Sequence, residues 1–400
     1  MVAYRKLNDV EVTKKKILVR LDLNVPMQDG IVSDSHRVEK IVPTIRNVLK
    51  RGGYPILISH FGRPKGKYNS AMSLAPLAPI ISAAIDKIPV KFIDDCIGPT
   101  TESEINTMNS GEILLLENLR FHPGEEKNDS KFIESLSRLG DIFVNDAFSA
   151  SHRSHASTTG LAYLMPSAAG LQMEAELTAL EAAFEKPKRP LTAVVGGAKV
   201  STKLDVLSNL IKKVDSIIIG GGMANTFLHA KGFNIGLSLC EKDLAETAKI
   251  ILDESIKEKC EIVLPIDGAV AHQFMAGAPN YIAEINSIAD EAMILDLGPK
   301  SLQEIKRKFE QSSTILWNGP LGAFEIEPFD RSTNTAAQFA AALTKENKLT
   351  SIAGGGDTVA ALRKAGAYGD FSYVSTAGGA FLEWMEGKPL PGVEALQKDL

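Results

Sequence analysis

Short apolar runs recur along this chain with helix-like stretches between them, and that alternation restricts the fold more than any other feature. Ile17-Leu18-Val19, Ile56-Leu57-Ile58, Ile113-Leu114-Leu115-Leu116 and Ile142-Phe143-Val144 lie in the first half. Ala193-Val194-Val195, Ile217-Ile218-Ile219, Ser351-Ile352-Ala353 and Tyr373-Val374-Ser375-Thr376 lie in the second. The pattern is that of βαβ units and a mostly parallel sheet, formed twice. With 400 residues the chain is long enough for two or three domains. The clearest division falls near residues 171–190. There Met173, Leu177, Leu180 and Phe184 recur at helical spacing, before Pro187-Lys188-Arg189-Pro190 ends the helix. A second helix is expected to start with Pro43 in its first position and to stop at Gly52-Gly53.

The runs end differently in the two halves. In the first, they lead into Arg20, Asp22 and Asn24, into His60 and Arg63, into Asn118 and Arg120, and into Asn145, Asp146 and His152-Arg153. Arg37 precedes the Pro43 helix. In the second, they meet Gly196-Gly197, Gly220-Gly221-Gly222, Gly354-Gly355-Gly356-Asp357 and Gly378-Gly379. Ligands of α/β proteins bind beyond the carboxyl ends of the strands. One half is thus equipped to hold an anion with side chains, the other to let phosphates approach backbone N–H groups. Phosphoryl transfer between two different ligands fits that asymmetry.

Familiar nucleotide signatures do not account for the second half. Gly196-Gly197-Ala198-Lys199-Val200-Ser201 is not the G-x-x-x-x-G-K-[ST] loop, and Gly220-Gly221-Gly222-Met223-Ala224-Asn225 lacks the last glycine of the dinucleotide fingerprint. If a helix starts near Ala198, Lys199 and Lys203 share one face, an arrangement that a bound polyanion favours. After Gly354-Gly355-Gly356, Asp357 or Thr358 could cap a helix, and Asp357 could also meet a phosphate-bound Mg²⁺.

Composition narrows the partners. A net charge of −5 argues against general nucleic-acid or membrane-surface binding. No apolar segment is long enough to span a bilayer, and Met1-Val2-Ala3-Tyr4-Arg5-Lys6 lacks the apolar core of an export signal. Cys96, Cys240 and Cys260 are widely spaced, which argues against a disulfide framework or a zinc site and fits a reducing compartment. A cytoplasmic location is expected. His152 and His155 lack an evident third ligand for a metal.

The segments His60-Phe61-Gly62-Arg63-Pro64, Glu117-Asn118-Leu119-Arg120-Phe121, Ser151-His152-Arg153-Ser154-His155, Gly196-Gly197-Ala198-Lys199-Val200, Trp317-Asn318-Gly319-Pro320 and Gly354-Gly355-Gly356-Asp357-Thr358 occur in that order. Together they resemble the phosphoglycerate kinase family over nearly the whole chain, from Arg20 to Val393. The resemblance implies two doubly wound (Rossmann-like) α/β parallel-sheet domains joined by a hinge helix and facing a cleft. An N-terminal phosphoglycerate-binding domain would comprise residues 1–172 and 389–400. An interdomain helix and linker would span 173–189, and a nucleotide-binding domain 190–388.

The implied activity is a phosphotransferase with a carboxyl acceptor: reversible, Mg-dependent transfer between 1,3-bisphosphoglycerate and ADP, giving 3-phosphoglycerate and ATP. The implied phosphoglycerate ligands are Asp22, Asn24, Arg37, His60, Arg63, Arg120 and Arg153. Those for Mg-ADP or Mg-ATP are Lys199, Lys203, Asn318, Glu325 at the ribose, Gly355, Gly356, Asp357 at the Mg²⁺, and Thr358. Arg37, Lys199 and Lys203 are the implied catalytic residues, and a monomer is implied. The chain departs from the family pattern in having Ser332 and Ala377 where glycines are common, and bulky Phe381 and Trp384 nearby. A two-domain protein that closes on an anion without chemistry, or a nucleotide-sugar transferase, would share the α/β organisation. The first leaves the Gly-rich half unexplained, and the second leaves so many strand-end arginines unexplained.

Overall fold

The computed structural model describes residues 4–28, 31–32, 36–184 and 186–397. Met1-Val2-Ala3 of the expected leaderless start, Glu185 of the expected linker and the last three residues of the expected tail lie outside them. The strands, in chain order, are β1 (Lys16–Arg20), β2 (Met27–Gln28), β3 (Ile31–Val32), β4 (Tyr54–Ile58), β5 (Val90–Ile93), β6 (Ile113–Leu116), β7 (Ile142–Asn145) and β8 (Ser167–Ala169). They continue with β9 (Leu191–Val195), β10 (Ser216–Ile219), β11 (Glu261–Val263), β12 (Asp267–Ala271), β13 (Asn280–Glu284), β14 (Met293–Leu297), β15 (Thr314–Asn318), β16 (Thr350–Gly354) and β17 (Tyr373–Ser375).

Two six-stranded sheets result, ordered β5-β6-β4-β1-β7-β8 and β11-β10-β9-β15-β16-β17. Every pairing within both is parallel. Helices cover both faces of such sheets, so the central strands are apolar without alternation. All residues of β6, β7, β9, β10 and β15 are accordingly buried. A three-stranded antiparallel sheet, β13-β12-β14, is added beside the second.

The chain forms two compact units, Met1–Thr178 with Pro389–Leu400, and Ala179–Lys388. The helix Leu171–Phe184 contains the point of division. Asp146, just beyond β7, accepts from Gln172 N at 2.8 Å and Met173 N at 3.1 Å and so satisfies the start of that helix. In the C-terminal segment, Gly392 N donates to Ser151 O at 2.9 Å, and Leu390, Val393 and Leu396 are buried in the first unit. No helix among the described residues is long and apolar enough to cross a membrane.

Two helix boundaries differ from expectation. Pro43 does not open its helix but lies inside His36–Lys50. One helical hydrogen bond is forgone there because proline has no N–H. The helix persists because Val38, Ile41, Val42, Ile45 and Val48 bury a continuous stripe that runs past Pro43. Lys199 and Lys203 do not sit on a shared helical face. A 3₁₀ turn occupies Val200–Thr202, and the α-helix starts only at Leu204.

Candidate functional site

In the first unit, β4, β1 and β7 are neighbours, so the side chains at their carboxyl ends converge. Arg20 ends β1 and is fully buried. Its Nε donates to Ser157 Oγ at 2.9 Å, its Nη1 donates to Leu21 O, and its Nη2 lies 2.8 Å from His60 Nδ1. A guanidinium only donates, so His60 Nδ1 accepts and the ring proton resides on Nε2. Ser157 donates its N–H and its hydroxyl to the buried Glu125, at 3.0 and 2.6 Å. Glu125 therefore answers Arg20 through one serine.

The remaining charge is positive. Burial first, then Arg20, Arg120, His155 and Arg153, holds His60 well below the usual imidazole range. His155 is pushed down to about 4 by burial and by Arg120, Arg20 and Arg153. Arg120 is brought to about 10 by burial and by Arg20. Its buried Nε has no hydrogen-bond acceptor, the nearest carboxylate oxygen being Glu126 Oε1 at 3.5 Å. Neutral imidazoles among guanidiniums, with a buried donor left over, form a site whose energy an anion would lower.

The loop 60–62 joins this cluster to the Asp22 group. Gly62 N donates to Asn24 Oδ1 at 3.0 Å, and Gly62 O accepts from Arg120 Nη1 at 2.9 Å. Asp22 pairs with Arg37 at 3.0 Å and accepts from Ser149 Oγ at 2.5 Å. Arg37 also donates to Asn24 O at 2.8 Å. Asn118 accepts from Phe61 N and Arg120 N at 3.2 and 3.0 Å, which fixes the two loops against each other. Asp22, Asn24, Arg37, His60 and Arg120 thus belong to one network, and Arg153 acts on it electrostatically. Arg63 is exposed, outside its hydrogen-bonded core.

In the second unit, β9 and β15 lie side by side where the strand order reverses, the usual ligand position of an open α/β sheet. The segments beyond β9, β10 and β15 are in close backbone contact: Gly196 N donates to Asn318 O at 2.9 Å and Gly221 N to Leu321 O at 2.7 Å. A Cβ on Gly196 would stand 1.9 Å from Pro320 O, so no other residue fits. Asn318 donates to Gly354 O at 2.7 Å and accepts from Lys203 Nζ. Burial lowers Lys203 to about 8, against the pull of Asp357 and Glu386.

Asp357 and Thr358 do not cap their helix as expected. It spans Gly356–Lys364 with Gly355 in the cap position at φ +98°, a conformation that disfavours side chains. Thr358 Oγ1 instead accepts from Gly319 N at 2.7 Å and ties that loop down. Beside these loops is a cavity of about 520 Å³. Its lining is mainly apolar, including Leu237, Leu239, Phe274 and Leu321, with Asp296, Glu325 and Asp357 as its carboxylates. Lys199 is exposed, and the Glu241 carboxylate accepts from Ser201 N at 2.9 Å and Ser201 Oγ at 2.6 Å.

The four departures from the family pattern are absorbed by packing. Ser332 donates its N–H to Asp296 at 2.9 Å, and its hydroxyl bonds the same carboxylate. Ala377 is buried, and its N–H reaches Ser375 Oγ at 3.2 Å. Phe381 fills the space that a Cβ on Gly354 would need, and Trp384 meets the edge of Phe184 at 4.2 Å. Sequence reasoning missed Glu125, Ser157, Asn118 as a linker, Asp296 and the apolar cavity wall. Asn118 had a signal in its strand-end position, whereas Ser157 and Glu125 had none.

The family model for phosphoglycerate kinase matches residues 7–388. A phosphoglycerate kinase of Cereibacter sphaeroides is 57% identical over 395 residues, covering 99% of this chain and 100% of the relative. One of Rhizobium meliloti is 56% identical over 398 residues, again covering 99% and 100%. The solved phosphoglycerate kinase of Coxiella burnetii superposes with a TM-score of 0.91 at 38% identity, covering 99% of both chains. That of Pyrococcus horikoshii gives 0.81 at 31% identity, covering 98% of both. With two parallel six-stranded sheets, a strand-end cation cluster in one and glycine loops in the other, the chain belongs to the phosphoglycerate kinase family.

Proposed function

We propose that this chain is a phosphotransferase that moves a phosphoryl group between the acyl phosphate of 1,3-bisphosphoglycerate and ADP, giving 3-phosphoglycerate and ATP in glycolysis. The observation that carries the reading is that one chain holds both an Arg/His cluster, in which the buried Arg120 Nε has no hydrogen-bond acceptor, and a glycine-built loop set that holds Lys203. On this reading Arg120, Arg153, His60 and Arg63 orient phosphoglycerate, with Asp22 and Asn24 fixing the loops. His60 serves as a neutral Nε2–H donor. Arg37 and Lys203 face the transferring group, and Lys199 assists.

Both acceptors are ionised near neutral pH, so no general base is needed. The barrier is the approach of anion to anion, which positioning and charge neutralisation lower. Glu325 would accept from the ribose hydroxyls, and the apolar cavity wall would receive the base. Gly355, Gly356 and Thr358 let phosphates approach the helix N-terminus. Asp357, an exposed residue of the cavity lining that acts on Lys203, suits a Mg²⁺ held jointly with the nucleotide, since Mg²⁺ takes oxygen ligands. Bound there, Mg²⁺ would neutralise phosphate charge. A cytoplasmic monomer completes the reading.

The test is ATP-dependent phosphorylation of 3-phosphoglycerate, with the acyl phosphate consumed by reductive coupling. Turnover is expected to require Mg²⁺, and Arg37→Ala should lower kcat by on the order of 10²-fold or more, the loss of one transition-state charge contact. Tight binding of both ligands by folded protein without turnover would favour the binding-protein reading instead.

A further inference from the structure

The cysteine spacing gives no zinc signal, yet folding brings three unlike metal donors together outside both sites described above. Asp95 and Cys96 follow β5, and His122 follows the turn Leu119–Phe121 beyond β6. Because β5 and β6 are parallel neighbours, both loops leave the same end of the sheet. The Asp95 carboxylate oxygen, the Cys96 Sγ and a His122 ring nitrogen all lie within 4.8 Å of one another. Among the described residues this is the group in which three such side chains converge.

We propose that Asp95, Cys96 and His122 form a binding site for a transition-metal dication of the Zn²⁺ class. A thiolate, an imidazole and a carboxylate match the donor set of Zn²⁺ or Co²⁺, whereas Mg²⁺ prefers oxygen alone. Zinc bonds of about 2.0–2.3 Å place tetrahedral ligands roughly 3.3–3.7 Å apart. His122 Nε2 and Asp95 Oδ1 now stand 2.7 Å apart and must separate by less than about 1 Å, and no donor pair, at most 4.8 Å apart, need close by more than about 1.5 Å. They have room to do so, because Asp95 is exposed and His122 partly exposed. Cys96 is fixed by its burial and supplies the rigid ligand.

Asp95 Oδ1 also accepts from Cys96 N at 2.6 Å, which holds the carboxylate beside the thiol-bearing residue. The imidazole of His122 is oriented by stacking on Phe132, with centroids 5.3 Å apart. Three protein ligands leave one position for water or another donor.

The experiment is a Co²⁺ titration of the full chain under a non-thiol reductant, followed by optical spectroscopy. One equivalent of Co²⁺ is expected to give a thiolate-to-cobalt charge-transfer band. Zn²⁺ should remove it and excess Mg²⁺ should not. Cys96→Ser is expected to abolish the band. His122→Gln, at a partly exposed position that should still fold, is expected to weaken Co²⁺ binding at least about tenfold. Absence of the band, its persistence in Cys96→Ser through Cys240 or Cys260, or unchanged affinity in His122→Gln would each overturn the site.

His122 lies two residues beyond Arg120, so metal capture should disturb the anion cluster. On the function proposed above, Zn²⁺ should raise the KM for 3-phosphoglycerate in the wild type and not in His122→Gln. That kinetic arm can fail while the cobalt band stands, so the two readings are separable.

Discussion

Lys203 shows how burial sets a residue's working range. Burial strips its ammonium of water and brings its pKa to about 8 against the pull of Asp357 and Glu386, while the Nζ donates to Asn318 Oδ1. Below that pH the group is a cation and can meet phosphate; above it the charge is lost. The kcat/KM for nucleotide is therefore expected to fall as pH rises through about 8. The limb in kcat should lie higher, because bound polyphosphate favours the ammonium. Lys203→Arg, which stays charged, should flatten the alkaline limb, and a wild-type profile level from pH 7 to 9.5 would contradict this assignment. Lys203 and Asn318 were legible because each sits beside a strand-end motif. Arg20 was visible at a strand end, but not its role. That role depends on Ser157 and Glu125, more than a hundred residues away, which remove its charge from the solvent.

At the scale of elements, the glycine loops act as geometry before they act as ligands. Gly355 holds φ +98°, and a Cβ there would come 2.6 Å from Asn318 Nδ2. Gly355→Ala combines backbone strain of about 1–3 kcal/mol with displacement of the asparagine that positions Lys203. A lower Tm and weaker nucleotide binding are expected together, by calorimetry and by titration with ADP. Gly356→Ala is the stability control, since nothing lies within 4 Å of its added Cβ and its φ is unexceptional. Equal Tm values for the two variants would show that the cap conformation carries no strain. The displaced boundaries teach the same lesson. Pro43 reads locally as a helix start, but a buried stripe on both sides of it outweighs one missing hydrogen bond.

For the whole molecule, the two candidate sites belong to separate compact units, and direct transfer needs reacting atoms about 3–3.5 Å apart. On the proposed function, closure would bring both ligands together with water excluded. Small-angle scattering is expected to give a smaller radius of gyration with both ligands bound than with either alone. Unchanged dimensions across all four ligand states would argue against closure as the step that joins donor and acceptor.

The α/β class, the parallel strands and the contrast between basic and glycine strand ends came from sequence alone. The reason is that strand burial writes continuous apolar runs, and a site at strand ends must sit just after them. The six ordered segments added the family. Tertiary structure alone decided which cations share one anion cluster and that His60 is neutral with its proton on Nε2. It also assembled the apolar cavity wall, and it brought Asp95, Cys96 and His122 together. These are properties of residues distant in sequence, and their energies depend on desolvation and on the sum of neighbouring charges, quantities that no local window of residues contains.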